Sequence, residues 1–183
     1  MLGALLLALR GPAPAAGQGH LSHGVQFPAD SFDFVTWDPV LKRTPNRGWR
    51  RWGTPQTVDR VQLVLREYRD EHPDGPRVLV GDLSRPHGGF FGARYGGLGH
   101  ASHQNGLDVD VYYPRRDGRE RAAFRPSQVD RRLAQELVDR IDASGAIRVF
   151  VGPRVRLHGP RRIVTPLIYH DDHLHVRYAP SAD

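Results

Sequence analysis

With 183 residues, 39% hydrophobic and 25% charged, the chain has the make-up of a soluble globular protein that can bury a proper core, and one domain is expected. The absence of cysteine excludes a disulfide framework, a thiolate nucleophile and thiolate metal ligands. The net charge of +6, almost all from arginine, suits an anionic partner, but the arginines are scattered and read as a solvated basic surface.

In chain order, residues 1–24 read as a leader-like segment and flexible tail. Met1 to Leu9 is a short apolar run, and Ala13-Pro14-Ala15-Ala16-Gly17 supplies the small residues of an export signal. The run is far too short to span a bilayer. Export to the periplasm, cell envelope or extracellular space is expected, without stable membrane insertion. Residues 25–183 are then the functional domain. Residues 25–53 read as irregular, with Trp37, Trp49 and Trp52 in a loop-rich lid or a substrate-facing wall.

A first helix is predicted from Thr54 as its cap and Pro55 at its first position, with Val58, Val61, Leu65 and Tyr68 at helical spacing and Pro73 beyond its end. Arg77 to Gly81 reads as a short buried strand. Residues 84–99 form a Gly-rich loop without a phosphate-loop or dinucleotide pattern, a loop that approaches something closely. Leu107 to Tyr113 alternates: Leu107, Val109, Val111 and Tyr113 face one way, and Asp108, Asp110 and Tyr112 the other. Ser127 is expected to cap a second helix striped by Val129, Leu133, Leu137 and Ile141, with Gly145 past its end. Arg148 to Val151 reads as a strand. Ile163 to Ile168 and Leu174 to Tyr178 read as a hairpin or two adjacent strands. These elements predict an α+β fold, a small, mainly antiparallel sheet with flanking helices.

Two histidine- and aspartate-rich stretches stand about sixty residues apart: Gly99-His100-Ala101-Ser102-His103-Gln104-Asn105-Gly106-Leu107-Asp108-Val109-Asp110, and His170-Asp171-Asp172-His173-Leu174-His175. They hold five of the ten histidines. Imidazole and carboxylate are the ligand set of a catalytic zinc site. In a strand, His173 and His175 share one face. If that strand neighbours the one bearing Asp110, all three side chains point into one groove, with His103 at its mouth. Two histidines, a carboxylate and an open position would acidify a bound water. The competing reading for His103, Asp110 and His175 is a hydrogen-bonded polar cluster at a turn. A proton-handling group is also needed, with His173 the first choice and His170 the second; either could stabilise an oxyanion. His100 reads as substrate-binding or supporting, and Asp108, Asp171 and Asp172 as carboxylates that orient imidazoles. His20, His23, His72, His87 and His158 stay unassigned.

Gly81-Asp82-Leu83-Ser84-Arg85-Pro86, together with the first stretch, resembles the first motif of the penicillin-insensitive murein endopeptidases. His170 to Arg177 is similar to their second motif. The likeness runs from about Gly53 to Arg177 and includes a similar Trp52-Gly53-Thr54-Pro55 helix start. These enzymes are LAS metallopeptidases, which share a core with lysostaphin-type peptidases, D-Ala-D-Ala dipeptidases and the N-terminal domain of hedgehog proteins. The resemblance implies one zinc ion on His103, Asp110 and His175, catalysis by His173, and His170 and His100 lining the site. It also implies a substrate in the peptide cross-links of peptidoglycan. The chain departs from the family in lacking cysteine and in the aromatic loop Phe90 to Tyr95. The rival reading is a non-catalytic zinc- or peptidoglycan-binding module on the same fold. Nucleic-acid binding has only net charge behind it, with no motif or dense basic stripe, so no nucleic-acid partner is expected.

Overall fold

The computed structural model describes residues 19–92 and 102–180. In chain order these form β1 (Val25–Gln26), β2 (Phe34–Thr36), β3 (Trp52–Gly53), helix α1 (Pro55–Glu71), β4 (Val78–Val80), β5 (Asp108–Tyr112), helix α2 (Arg131–Ala143), β6 (Arg148–Val151), β7 (Val164–Pro166) and β8 (His173–Arg177). Strands β1 and β3 pair as a short ribbon, and the other six form one sheet in the order β2-β4-β5-β8-β6-β7. The three inner pairings are antiparallel and the two outer ones parallel. The fold is α+β, as the element pattern predicts.

Helix α1 starts as its sequence dictates. The Thr54 hydroxyl accepts from the Thr57 amide at 3.2 Å, and Pro55 takes the first position, where no backbone donor is needed. Its buried face carries Val58, Val61, Val64, Leu65 and Tyr68. Burying a Val or Leu contributes roughly 1.5–3 kcal/mol, so this face outweighs the exposed ion pair of Arg140 with Glu67, worth about 1 kcal/mol at most. Helix α2 corrects the expected cap. Asp130, not Ser127, accepts from the Leu133 amide, at 3.1 Å. Ser127 lies in a preceding 3-10 turn, Pro126–Gln128. Both helices cover the sheet face that presents Val109, Val111, Leu174 and Val176, and together they close the main core.

Three further expectations are corrected. Segments 163–168 and 174–178 do not pair, because β6 lies between β7 and β8. The 25–53 region is not only a lid, since it supplies edge strand β2, and Trp37 packs with Val35, Leu79, Tyr112 and Ala122 in a second core. The end of the expected flexible tail is docked: Leu21 is buried, its amide donates to the His87 carbonyl, and the Gly19 amide donates to the Gln104 side chain.

The sheet's other face carries this second core towards β2 and β4 and polar groups along β5 and β8. On that side Asp82, fully buried, accepts from Arg50 Nε at 2.7 Å and from Asn46 Nδ2 at 2.9 Å. The Arg50 guanidinium also lies over the rings of Trp49 and Phe91. The Asp82 carbonyl accepts from the Asp110 amide at 2.9 Å, so this ion pair braces the strand that carries Asp110. Arg50→Ala would leave a buried carboxylate without its cation and should cost roughly 3–5 kcal/mol in urea unfolding. A loss under about 1 kcal/mol would show that the pair behaves as an exposed one and braces nothing.

Candidate metal centre

The register of two strands builds the centre. Asp110 on β5 lies directly opposite His175 on β8, and Tyr112 lies opposite His173. Period-two alternation sends Val109, Val111, Leu174 and Val176 into the main core and leaves Asp108, Asp110, His173, His175 and Arg177 on the polar face. His103 arrives from the loop before β5. Gly106, at φ +74°, makes the turn between them, and a Cβ there would stand 2.8 Å from the Thr54 amide nitrogen. His103 itself has φ +26°, a conformation that side chains rarely adopt and that packing must hold. Phe91 packs edge-on against its ring at 6.4 Å between centroids.

Three atoms converge. His103 Nε2 is 3.2 Å from Asp110 Oδ1 and 3.1 Å from His175 Nδ1, and His175 Nδ1 is 3.3 Å from Asp110 Oδ1. Donors about 2.0–2.1 Å from a common tetrahedral centre lie about 3.3 Å apart, so the spacing fits a zinc-sized ion. The tautomers fit as well. His103 Nδ1 donates to the Leu83 carbonyl at 2.6 Å, and His175 Nε2 donates to Asp108 Oδ1 at 2.9 Å. With both outer nitrogens spent as donors, the neutral rings turn their lone pairs inward towards a carboxylate. Three buried acceptors at this distance repel one another unless protons or a cation join them. Among the described residues, His103, Asp110 and His175 are together the group that can hold a metal ion.

The electrostatics favour positive charge among these groups. Burial pushes the Asp110 carboxyl up, but His103, His173 and His175 outweigh it and hold the carboxyl well below its usual range. Burial pushes His175 down, yet Asp108 and Asp110 prevail and raise it to about 9. Asp108, also opposed by burial, is held low by His175 and by Arg177, which donates to it at 2.8 and 2.9 Å. Asp108→Asn keeps the shape and removes the charge that fixes the His175 tautomer. Its affinity for a divalent metal should fall about 10–100-fold in a chelator competition. Unchanged affinity would mean that Asp108 serves Arg177 alone.

The other sequence candidates separate clearly. His173 flanks the cluster, with Nε2 3.7 Å from Asp110 Oδ1, while its Nδ1 donates to Asp172 Oδ1 at 2.7 Å. Burial would lower its basicity, but Asp110 and Asp172 raise it. The His170 ring lies 4.9 Å from that of His173 and 6.0 Å from that of His175. Its Nδ1 donates to the Ile168 carbonyl at 2.9 Å, and burial together with His173 lowers it to about 4. Asp171 is not at an imidazole: Arg154 holds it, through Nε at 2.5 Å and through its amide. Asp172 is the carboxylate on the His173 ring. His100 and the loop beyond Gly92 lie outside the described residues. Two partners of the centre escape the sequence reading. The Ser102 hydroxyl lies 3.2 Å from His175 Nε2, signalled only by its place beside His103, and the Leu83 carbonyl has no side-chain signal.

The profile of a family described as penicillin-insensitive murein endopeptidase matches residues 15–151. Proteins of that name from Salmonella arizonae (strain ATCC BAA-731 / CDC346-86 / RSK2980) and Salmonella heidelberg (strain SL476) are 30% and 28% identical to this chain. Each alignment covers 94% of this chain and 70% of the relative. With the profile matching most of the chain, and a relative 30% identical over 94% of it, the chain belongs to the penicillin-insensitive murein endopeptidase family.

Proposed function

We propose that the protein is a zinc-dependent endopeptidase that hydrolyses the peptide cross-links of peptidoglycan. The observation that carries this reading is the convergence of a buried carboxylate with two buried imidazoles whose outer nitrogens are already committed. His103 Nε2, Asp110 Oδ1 and His175 Nδ1 would hold one zinc ion, leaving a position open. Bound there, zinc supplies Lewis acidity, polarising a scissile carbonyl and lowering the pKa of water. The chain's own residues do the rest. His173, steadied by Asp172, stands beside the cluster to hold and pass a proton at Nε2 and to meet negative charge on the carbonyl oxygen. His170, its Nδ1 tied to the Ile168 carbonyl, keeps Nε2 as an acceptor next to His173. Export is part of the proposal, since the substrate lies in the cell envelope and the N-terminal run resembles a leader.

A non-catalytic binding module on the same fold is the second reading. Binding alone does not require His170 and His173 beside the ligand set, and their placement favours catalysis. Purified cross-linked peptidoglycan is digested with and without a chelator, followed by zinc add-back, and muropeptides are weighed by mass spectrometry. Loss of cross-linked dimers that the chelator stops and zinc restores is expected, and product masses name the bond. Folded, zinc-loaded protein that cuts nothing would overturn the peptidase reading in favour of the binding module.

A further inference from the structure

Residues 148–162 hold five arginines and no carboxylate, a local charge of +5. This segment is strand β6 and the strap that carries the chain from β6 over to β7. The strap is built to present its charge. Val155 and Leu157 are buried beneath it, while Arg154 and Arg156 between and beside them are exposed. The Gln135 side chain on α2 grips both the amide and the carbonyl of His158, at 3.1 and 2.8 Å. Arg148 donates across to the Arg162 carbonyl at 2.8 Å and closes the two ends. Arg156 has φ +62°, unusual for a residue with a side chain, so the anchored strap holds that arginine in a conformation it would not choose. Among the described residues, no carboxylate lies within ion-pairing distance of Arg148, Arg156, Arg161 or Arg162, whereas Arg154 pairs with Asp171.

We propose that this strap docks the anionic peptide stems of peptidoglycan beside the centre that cuts them. The inference rests on the function proposed above. Two contacts tie the strap to that centre. Arg154 holds Asp171, next to His170, and Gly152 sits so close to the same turn that a Cβ would lie 2.5 Å from the His170 carbonyl oxygen. The stems carry free carboxylates, and a row in which Arg148, Arg156, Arg161 and Arg162 have no carboxylate partner among the described residues is complementary to them. A polymer held there would raise the local concentration of cross-links without touching the reacting atoms.

The test uses the full, zinc-loaded chain and the triple variant Arg156→Gln, Arg161→Gln, Arg162→Gln. Co-sedimentation with purified insoluble peptidoglycan at low salt should weaken about ten-fold, and the difference should vanish at about 0.5 M salt. Zinc content and turnover of a short soluble cross-linked dimer should not change, since none of the three residues belongs to the centre. Unchanged co-sedimentation overturns the proposal. So does a variant that keeps its peptidoglycan binding but loses binding to duplex DNA, which would assign the strap to nucleic acid. If the unmodified chain cuts no dimer yet sediments through these arginines, the docking role stands and only the peptidase reading falls.

Discussion

Asp110→Ala should leave the protein folded, empty it of zinc and lower peptidoglycan cleavage by about 10³-fold or more, ~4 kcal/mol of transition-state stabilisation. Asp110 is the one carboxylate of the cluster, within 3.2 and 3.3 Å of the two imidazoles, and without it the site has no negative charge to offset a divalent ion. His103 and His175 would remain, but two neutral ligands hold such an ion weakly. Metal per chain by elemental analysis and dimer cleavage by mass spectrometry are read on the same sample, with circular dichroism for the fold. The same joint loss is expected of His103→Ala and His175→Ala. An Asp110→Ala protein that retains one tightly held zinc would refute the ligand assignment.

His173→Ala should separate what Asp110→Ala joins. Zinc content should stay near one per chain while kcat falls by about 10²–10⁴-fold, the usual worth of a positioned proton-transfer group. The side chain is outside the convergent group and its Nδ1 is taken by Asp172, so its removal leaves the three ligand atoms in place. The opposite pattern, zinc lost from His173→Ala and kept in His175→Ala, would exchange the two roles.

Much of the centre was legible because strands have period two. Alternation in 107–113 and in 173–176 predicts which side chains share a face, and the structure puts them there. What alternation cannot supply is a partner and a register. That Asp110 meets His175 is decided by pairing between strands 65 residues apart in sequence, and the placement of β6 between β7 and β8 is equally non-local. Strand β2 was missed because three residues, Phe34–Thr36, are too few to show a period. The helix cap at 127 failed for a local reason: Ser127 and Asp130 both suit a cap, and the 3-10 turn at Pro126 spends the first before the helix begins. The Arg50–Asp82 pair gave no signal at all, since one arginine among many becomes special only once loops close over it.

The three ligand atoms do not stand on equal ground. Asp110 and His175 belong to β5 and β8, each fenced by a strand on either side, whereas His103 belongs to the loop that turns into β5 at Gly106. A strand enclosed in this way comes free only when the sheet separates, while a loop can open by itself. The two kinds of support would therefore differ in how long they hold a ligand atom in place. In a local opening His103 would be the first of the three ligand atoms to move away, and Asp110 with His175 the last, so the loop rather than the sheet would set how readily the site opens.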